Sequence, residues 1–460
     1  MRDFEEHIKT ILKKQKSFFR DGKTLDLNFR LKALDCLYKK IIDLRPQINE
    51  ALYKDLRKSE FEAIATETSG VLEDILYTRK NLRKWAKPQR VPVHINNFPA
   101  KGRIFAEPYG SVLIFSAWNY PFQLALAPMI AAIAAGNCVV LKTSEQSPAT
   151  AEILKTLIES CFKSKHAAVI NGGIAEAEIL LKRKFDYLFY TGGPNGGRHV
   201  MHAAAKRLTP VTLELGGKSP CIVAADADLE VTAKRIVWGK YMNAGQTCVA
   251  PDYLLVHEKI KAPLMEKMQL VIKNFYGENP QESNDYPRII NKAHFERLRR
   301  LLDGHKVHTG GKHDIEDLYL EPTIVDNPTL DSELMEHEIF GPILPVITWR
   351  HFDEVLEFVN ERPKPLAMYC FTKCANFTSK LTACTSAGGV TVNDTITHFI
   401  NPSMPFGGVG ESGIGAYHGK FGFDTFSHYK PVMYKSFFLD IPLRYPPFKD
   451  KLNILKKLCR

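Results

Sequence analysis

Cysteine is too sparse and too irregular in this chain to form a disulfide framework. The 460 residues hold nine (Cys36, Cys138, Cys161, Cys221, Cys248, Cys370, Cys374, Cys384 and Cys459), an odd and scattered set that points to a reducing compartment. Only Cys370 and Cys374 lie close together, and no second pair or histidine stands at zinc-ligand spacing, so no metal site is expected. Uninterrupted apolar runs are missing too. The stretch from Leu124 to Leu141 is broken by Pro128, Gly136 and Asn137 and closed by Lys142, which excludes a membrane span there. Internal repeats and low-complexity segments are absent. The start, Met1-Arg2-Asp3-Phe4-Glu5-Glu6, sets charges of both signs where a secretory signal needs an apolar run. The cytoplasm is the expected location.

What remains is the composition of a globular protein, 45% hydrophobic and 25% charged, long enough for two or three domains. The formal charge of +11 raises the question of nucleic acid. The basic residues, however, fall in amphipathic helical stretches and not in an aromatic-interleaved patch. A solvated basic surface follows, with no nucleic-acid partner.

Periodicity divides the chain. From Phe4 to Trp85 apolar residues such as Leu31, Leu34, Leu37, Tyr38 and Ile41 recur at helical spacing. From Val91 to Glu107 alternation interrupted by Pro92 and Pro99 suits a hairpin or extended arm. Ser111–Phe115, a small-residue helix over Phe122–Ala135 and Cys138–Leu141 form a βαβ unit, the building element of nucleotide-binding sheets. A second unit runs through Ala167–Ile170, a helix near Ile174–Leu181 and Tyr187–Thr191, then a helix after Pro194 and a strand Val211–Glu214. Alternating strands and helices continue to about Val392, as in a second α/β domain. The expected division is 1–85 with 107–213 for a nucleotide domain and 214–392 for a second domain. Residues 86–106 and 393–460 then make a bridging arm and tail.

Three residues could carry covalent chemistry. Cys248, after Gly245-Gln246-Thr247, is a nucleophile if its thiolate is favoured or a base takes its proton. Glu214 sets a carboxylate at a strand end before Gly216-Gly217 and could activate water. Asn119 offers a side-chain N–H that can converge with the backbone N–H of Cys248 on an oxyanion. Taken singly, each has a plainer reading: a buried structural cysteine, a surface carboxylate, and a turn residue before Pro121.

Order and spacing decide between the two. Trp118-Asn119-Tyr120-Pro121, Glu214-Leu215-Gly216-Gly217-Lys218-Ser219-Pro220, Gly245-Gln246-Thr247-Cys248, Glu338-Ile339-Phe340-Gly341-Pro342 and Pro405-Phe406-Gly407-Gly408 occur in that order. The chain thereby resembles the aldehyde dehydrogenase superfamily from the first helix to about Tyr429. The compact length, the Trp-Asn-Tyr-Pro wording and Arg444-Tyr445-Pro446-Pro447-Phe448 most resemble class 3, the fatty and aromatic aldehyde branch. The resemblance implies an α/β fold with a Rossmann-type cofactor domain, an α/β catalytic domain and a small β oligomerisation arm. It implies NAD(P)-dependent oxidation of medium- to long-chain aliphatic or aromatic aldehydes to carboxylic acids. In that reaction Cys248 attacks the aldehyde, Asn119 holds the oxyanion, hydride passes to nicotinamide and Glu214 activates water against the thioester. The alternative is esterase-type or CoA-acylating transfer through the same thiol.

The resemblance also assigns a cofactor set. Lys142 and Glu145 follow the second strand of the first βαβ unit, where an adenosine ribose is met. The ammonium suits ribose hydroxyls or a 2′-phosphate, and Glu145 favours free hydroxyls, so NAD is expected with NADP tolerated. Thr191, Gly192, Gly193 and Gly197 form the turn and first helical residues for the pyrophosphate. Glu338 resembles the glutamate that holds the nicotinamide ribose, Phe340 the aromatic beside the nicotinamide, and Tyr120 is expected to touch substrate. Three positions depart from the family's commoner wording: Ala117 before Trp-Asn, Thr143 after the cofactor lysine, and Gly193-Pro194 in place of a Ser/Asn-Thr pair. A homodimer is implied, with arm and tail crossing between subunits. Leu452, Leu455 and Leu458 recur at helical spacing among lysines. That tail either packs over the substrate mouth or a partner subunit, or makes weak peripheral contact with a membrane.

Overall fold

The computed structural model describes residues 2–458; of the residues named above, Met1 and Cys459 lie outside them. The first stretch is helical as its periodicity requires, in runs that include Arg2–Arg20, Leu27–Asp43, Arg45–Leu56 and Ser69–Trp85. Arg2–Arg20 packs directly on a six-stranded sheet ordered 413–414, 211–214, 187–191, 111–115, 138–142, 167–170, and the other three pack on the helices Gln123–Ala135 and Pro148–Cys161 that cover it. All its pairings are parallel except that of Gly413–Ile414 against Leu213 and Glu214. The central strands Ser111–Phe115 and Cys138–Lys142 are buried throughout, which explains their unbroken apolar wording. Helix Gln123–Ala135 is also buried on every side. Its alanines let it lie between the sheet and the helices Leu27–Asp43 and Ser69–Trp85, and the left-handed Gly136 caps it.

A second, seven-stranded sheet is ordered 307–309, 323–326, 343–349, 253–257, 220–223, 367–371, 389–392. It too is parallel, apart from the antiparallel edge strand Val307–Thr309. The arm is a three-stranded antiparallel sheet. Gln89–Val91 pairs with Ala100–Pro108, and that strand pairs along its whole length with Ser427–Lys435.

Beyond Lys435 the chain exposes Phe437 and Phe438 almost completely. The helix Leu452–Leu458 follows, with Leu452, Ile454 and Leu455 about half exposed. Lys451 Nζ ties the segment to itself through the carbonyls of Pro442 (2.8 Å) and Tyr445 (2.7 Å). Among the described residues no helix is long and apolar enough to cross a membrane.

Candidate active site

The carboxyl ends of the parallel strands 111–115, 138–142, 187–191 and 211–214 open on a cavity of about 430 Å³. This is where an open α/β sheet presents its ligand crevice. Its lining includes Ser116, Trp118, Asn119, Lys142, Glu145, Thr191, Gly192, Gly193, Glu214, Cys248, Glu338 and Phe340. Ten of the twelve residues singled out from the sequence therefore meet in one space. Tyr120 and Gly197 lie outside its lining.

Cys248 reaches the cavity from the second sheet's side. Helix Leu229–Tyr241 ends in a tight turn in which Asn243 (φ 52) and Ala244 (φ 51) are left-handed. At Gly245 a side chain would overlap the Gly341 carbonyl. Glycine is thus required one turn before the thiol, to let the Glu338–Pro342 segment pack against it. Burial raises the Cys248 thiol, and the facing charges of Glu338 and Glu214 raise it further. The backbone N–H groups of Cys248 and Val249 act in the opposite sense by bonding the sulfur. At rest the sulfur therefore carries its proton, and attack requires a base.

Glu214 is expected from its strand end to stand at the lip of the site, yet it is only 3% exposed. Both carboxylate oxygens are buried without a hydrogen-bond partner. Burial raises its pKa well above the ordinary glutamate range. An unpartnered, desolvated carboxylate beside a cavity is a strong proton acceptor for whatever enters.

Asn119 is held from all sides. Its Nδ2 donates to the Gln246 carbonyl (3.0 Å), which uses one amide N–H and leaves the other. Its own carbonyl accepts from Lys58 Nζ (3.0 Å) and Asn243 Nδ2 (2.9 Å). Gln246 is anchored in turn, donating to Arg288 O (3.0 Å) and accepting from the Ile290 N–H (2.9 Å).

Glu338 is pushed up to about 8, chiefly by burial and then by the charge of Asp252, while the Gly217 N–H works against the shift. A side chain at Gly216 would overlap the Glu338 carboxylate. Gly216→Ala is therefore expected to displace Glu338 and to cost about 1–3 kcal/mol of stability, read as a lowered unfolding midpoint; an unchanged midpoint would contradict this packing. The segment around Glu338 is fixed by residues the sequence did not flag. Lys218 Nζ pairs with Asp252 (2.6 Å) and donates to the carbonyls of Leu334 (2.7 Å) and His337 (2.9 Å). Asp252 also accepts the Ile339 N–H (2.9 Å). Arg297 donates to Ile339 O, and His294 Nε2 donates to the Phe340 carbonyl (2.8 Å). His294 is lowered to about 4, mainly by burial, so this neutral donor persists through the physiological range. Phe340 packs edge-on to Trp118 with centroids 5.3 Å apart. Lys218 stood inside a quoted motif, so its place in the chain was the available signal; Asp252, His294 and Arg297 carried none.

The nucleotide side is built from glycine and a helix start. Gly192 and Gly193 lead into helix Pro194–Ala205, whose first turns face the cavity through Gly196 and His199. Its free N–H groups suit an anion. The hydroxyls of Ser116 and Thr191 are buried without partners in the same lining, as expected where a polar ligand completes the bonding. Lys142 Nζ donates to the carbonyls of Thr143 (2.7 Å) and Gly172 (2.6 Å) and stands 3.8 Å from Glu145. Thr143, one of the departures, bonds Asn171 Oδ1 (2.8 Å) and so ties neighbouring strand ends together. These residues fit NAD or NADP.

Two residues differ from expectation in position. Gly197 faces Leu215, whose Cδ2 would lie 2.7 Å from an added Cβ. Its glycine character serves close helix–strand packing. Tyr120 is buried, with its hydroxyl 2.7 Å from Thr247 Oγ1 and the Lys58 ammonium 3.9 Å from its ring centre. It braces the loop behind the thiol. Tyr241, on the helix that leads to the thiol loop, is wholly buried and donates to Thr323 O (3.1 Å).

Known proteins match this arrangement. The model of the aldehyde dehydrogenase family matches residues 2–432. The 4,4'-diaponeurosporen-aldehyde dehydrogenase of Staphylococcus aureus is 46% identical, over 96% of each chain. The dimeric NADP-preferring aldehyde dehydrogenase of Mus musculus is 46% identical, over 97% of this chain and 99% of its own. Relatives named family 3 members are 46% identical as well. A solved structure described as the substrate-bound state of Staphylococcus aureus AldH superposes with a TM-score of 0.96 at 45% identity, covering 98% of this chain and 99% of its own. The family uses NAD or NADP. On a family match spanning nearly the whole chain and a shared fold, this chain belongs to the aldehyde dehydrogenase family, in its class 3 branch, and oxidises aldehydes.

Proposed function

We propose that Cys248 attacks the aldehyde carbon, that Asn119 and the backbone N–H of Cys248 hold the oxygen of the adduct, and that Glu214 activates water against the resulting thioester to release a carboxylic acid. One observation carries this reading. The thiol, the free amide N–H of Asn119 and the unpartnered Glu214 carboxylate line the same cavity as the glycine turn of the nucleotide crevice. The thiol gives up its proton as it attacks, and Glu214 and Glu338, both raised by burial, are the acids that face it. Each accepts a proton closer to neutral pH than an exposed glutamate does. NAD(P), when bound, supplies the nicotinamide that takes the hydrogen and two electrons from the aldehyde carbon.

Lys142, Glu145, Thr191, Gly192, Gly193, Glu338 and Phe340 would hold that cofactor, with Gly197 supporting the turn from behind. Glu145 beside Lys142 favours free ribose hydroxyls over a phosphate, hence NAD with NADP accepted. The six-stranded sheet with residues 1–85 and 107–213 serves as the cofactor domain and 214–392 as the catalytic domain. Residues 86–106 and 393–460 serve assembly, as a homodimer; one relative is named as dimeric. The exposed apolar tail then covers a partner subunit or the substrate mouth, with weak membrane contact as the competing role. The scattered thiols favour the cytoplasm. Substrates are medium- to long-chain or aromatic aldehydes.

The test is NADH and NADPH formation across straight-chain and aromatic aldehydes and 4,4'-diaponeurosporen-aldehyde, with products analysed with and without CoA. Aldehyde-dependent reduction giving free acid is expected. Acyl-CoA as the sole product would favour acyl transfer, and no reduction with either nucleotide would sink the reading for these substrates. Asn119→Ala is expected to lower kcat by about 10²–10³-fold with little change in KM, measured in the same assay.

A further inference from the structure

Behind the wall that carries Asn119, outside the cavity lining, lies an ion pair with no access to solvent. Lys58 Nζ and Glu67 Oε1 are 2.6 Å apart and both side chains are 0% exposed. Glu67 sits on a π-helical turn, Ile64–Thr68, between the helices Glu60–Ala63 and Ser69–Trp85; such turns are irregularities that recur at functional sites. The remaining bonds of the pair converge on one short loop. The ammonium donates to the Asn119 carbonyl at 3.0 Å and lies over the Tyr120 ring. The second carboxylate oxygen accepts the N–H groups of Phe122 (3.1 Å) and Gln123 (2.9 Å). Trp118-Asn119-Tyr120-Pro121 is thus gripped on both sides of Pro121, which has no N–H of its own to offer.

The preceding helix, Glu60–Ala63, reaches the thiol loop. Glu62 accepts the N–H of Asn243 (2.9 Å), and Asn243 Nδ2 bonds both Asn119 O (2.9 Å) and Gln246 O (3.1 Å). Gln246 O is also the acceptor that orients the Asn119 side chain (3.0 Å). A buried ion pair is weak support for stability, because apolar replacement of both partners is often neutral or better. Its use is better sought in what it fixes, and here that is the loop bearing the oxyanion donor.

We propose that Lys58 and Glu67 are positioning residues for aldehyde oxidation: the ammonium fixes the Asn119 carbonyl and the carboxylate fixes the amides that follow, so that the Asn119 side chain is aimed before substrate enters. This rests on the reading of Asn119 as the oxyanion donor. Preorganised donors act through geometry, and misplacement by about 1 Å costs on the order of 100-fold in rate.

The test compares wild type, Lys58→Met, Asn119→Ala, Lys58→Met with Asn119→Ala, and the neutral pair Lys58→Met with Glu67→Gln. Each is assayed for kcat and KM and titrated with NADH. Lys58→Met is expected to lower kcat by about 10- to 100-fold while NADH affinity stays within about twofold. Added to Asn119→Ala, it should cost less than about threefold more, because the two act through one donor. Unchanged kcat in Lys58→Met overturns the proposal. So does a full multiplicative loss on top of Asn119→Ala, or a parallel loss of NADH affinity, each of which marks general structural damage. If Lys58→Met does not fold, the neutral pair and the isosteric Glu67→Gln carry the same readouts. Inactive wild-type protein that binds NADH overturns the dehydrogenase reading and this inference with it; active wild type beside unaltered variants overturns the inference alone.

Discussion

Cys248→Ala is expected to abolish aldehyde-dependent NADH or NADPH formation, by at least about 10⁴-fold, while NADH still binds. The size follows from the site's construction. Among the described free cysteines, Cys248 alone lines the cavity, and no neighbouring hydroxyl is set to replace it: Thr247 Oγ1 is engaged with Tyr120. The substitution removes a sulfur that burial and two facing carboxylates keep protonated, so no compensating pKa effect is expected elsewhere to preserve rate. Of the proposed nucleotide contacts, Lys142, Glu145, Thr191, Gly192 and Gly193 lie at strand ends of the other sheet and are not altered by the substitution. The check is parallel turnover and NADH titration. Residual turnover within about 100-fold of wild type would exclude the thiol as nucleophile.

Glu214→Gln is expected to lower steady-state turnover by about 10²–10⁴-fold and to leave acyl groups on the enzyme, because water is no longer activated against the thioester. The pH profile carries a second signature. Burial raises Glu214 well above the ordinary range, so the active carboxylate is lost as pH falls through that raised value. Wild-type kcat should therefore decline as pH falls, beginning at a pH above the ordinary glutamate range, and Glu214→Gln should lose this limb. The same shift has a stability consequence of fixed sign. A carboxyl whose folded pKa exceeds its unfolded value binds more protons when folded, so its presence destabilises the fold as pH rises from the unfolded toward the folded pKa. Glu214→Gln should accordingly unfold at a higher temperature than wild type near neutral pH and gain nothing below about pH 3, where the carboxyl is protonated in both states. Higher activity bought with lower stability is the common trade at such sites.

Much of this site could be read from the sequence because its reacting groups sit in short contiguous words. Glu214 is followed two residues later by Gly216, which admits Glu338, Cys248 follows the turn that needs Gly245, and Asn119 stands two residues before Pro121. The parallel strands announced themselves as apolar runs because both of their faces are covered. What could not be read depends on contacts between distant positions. Lys58 and Glu67 look like helix-surface charges until the fold closes over them, and Asp252, His294 and Arg297 acquire meaning only where the Glu338 segment passes. Burial at Glu214 is not legible in its strand-end position, since a strand end usually faces water and this one pairs with Gly413–Ile414 alongside it. The direction of Tyr120 is equally hidden: adjacent to Asn119, it lies outside the cavity lining and turns to Thr247. Gly197 reads in the sequence as a phosphate contact because glycines near a helix start serve both phosphate approach and tight packing, and only the proximity of Leu215 separates the two.

The most direct measurement is the mass of peptides from enzyme acid-quenched during turnover of a straight-chain aldehyde, using Glu214→Gln so that the intermediate accumulates. The account predicts one acyl group, on the peptide containing Cys248 and only when NAD or NADP is present. An acyl group on another residue, or one on Cys248 that forms from aldehyde without either nucleotide, would contradict it.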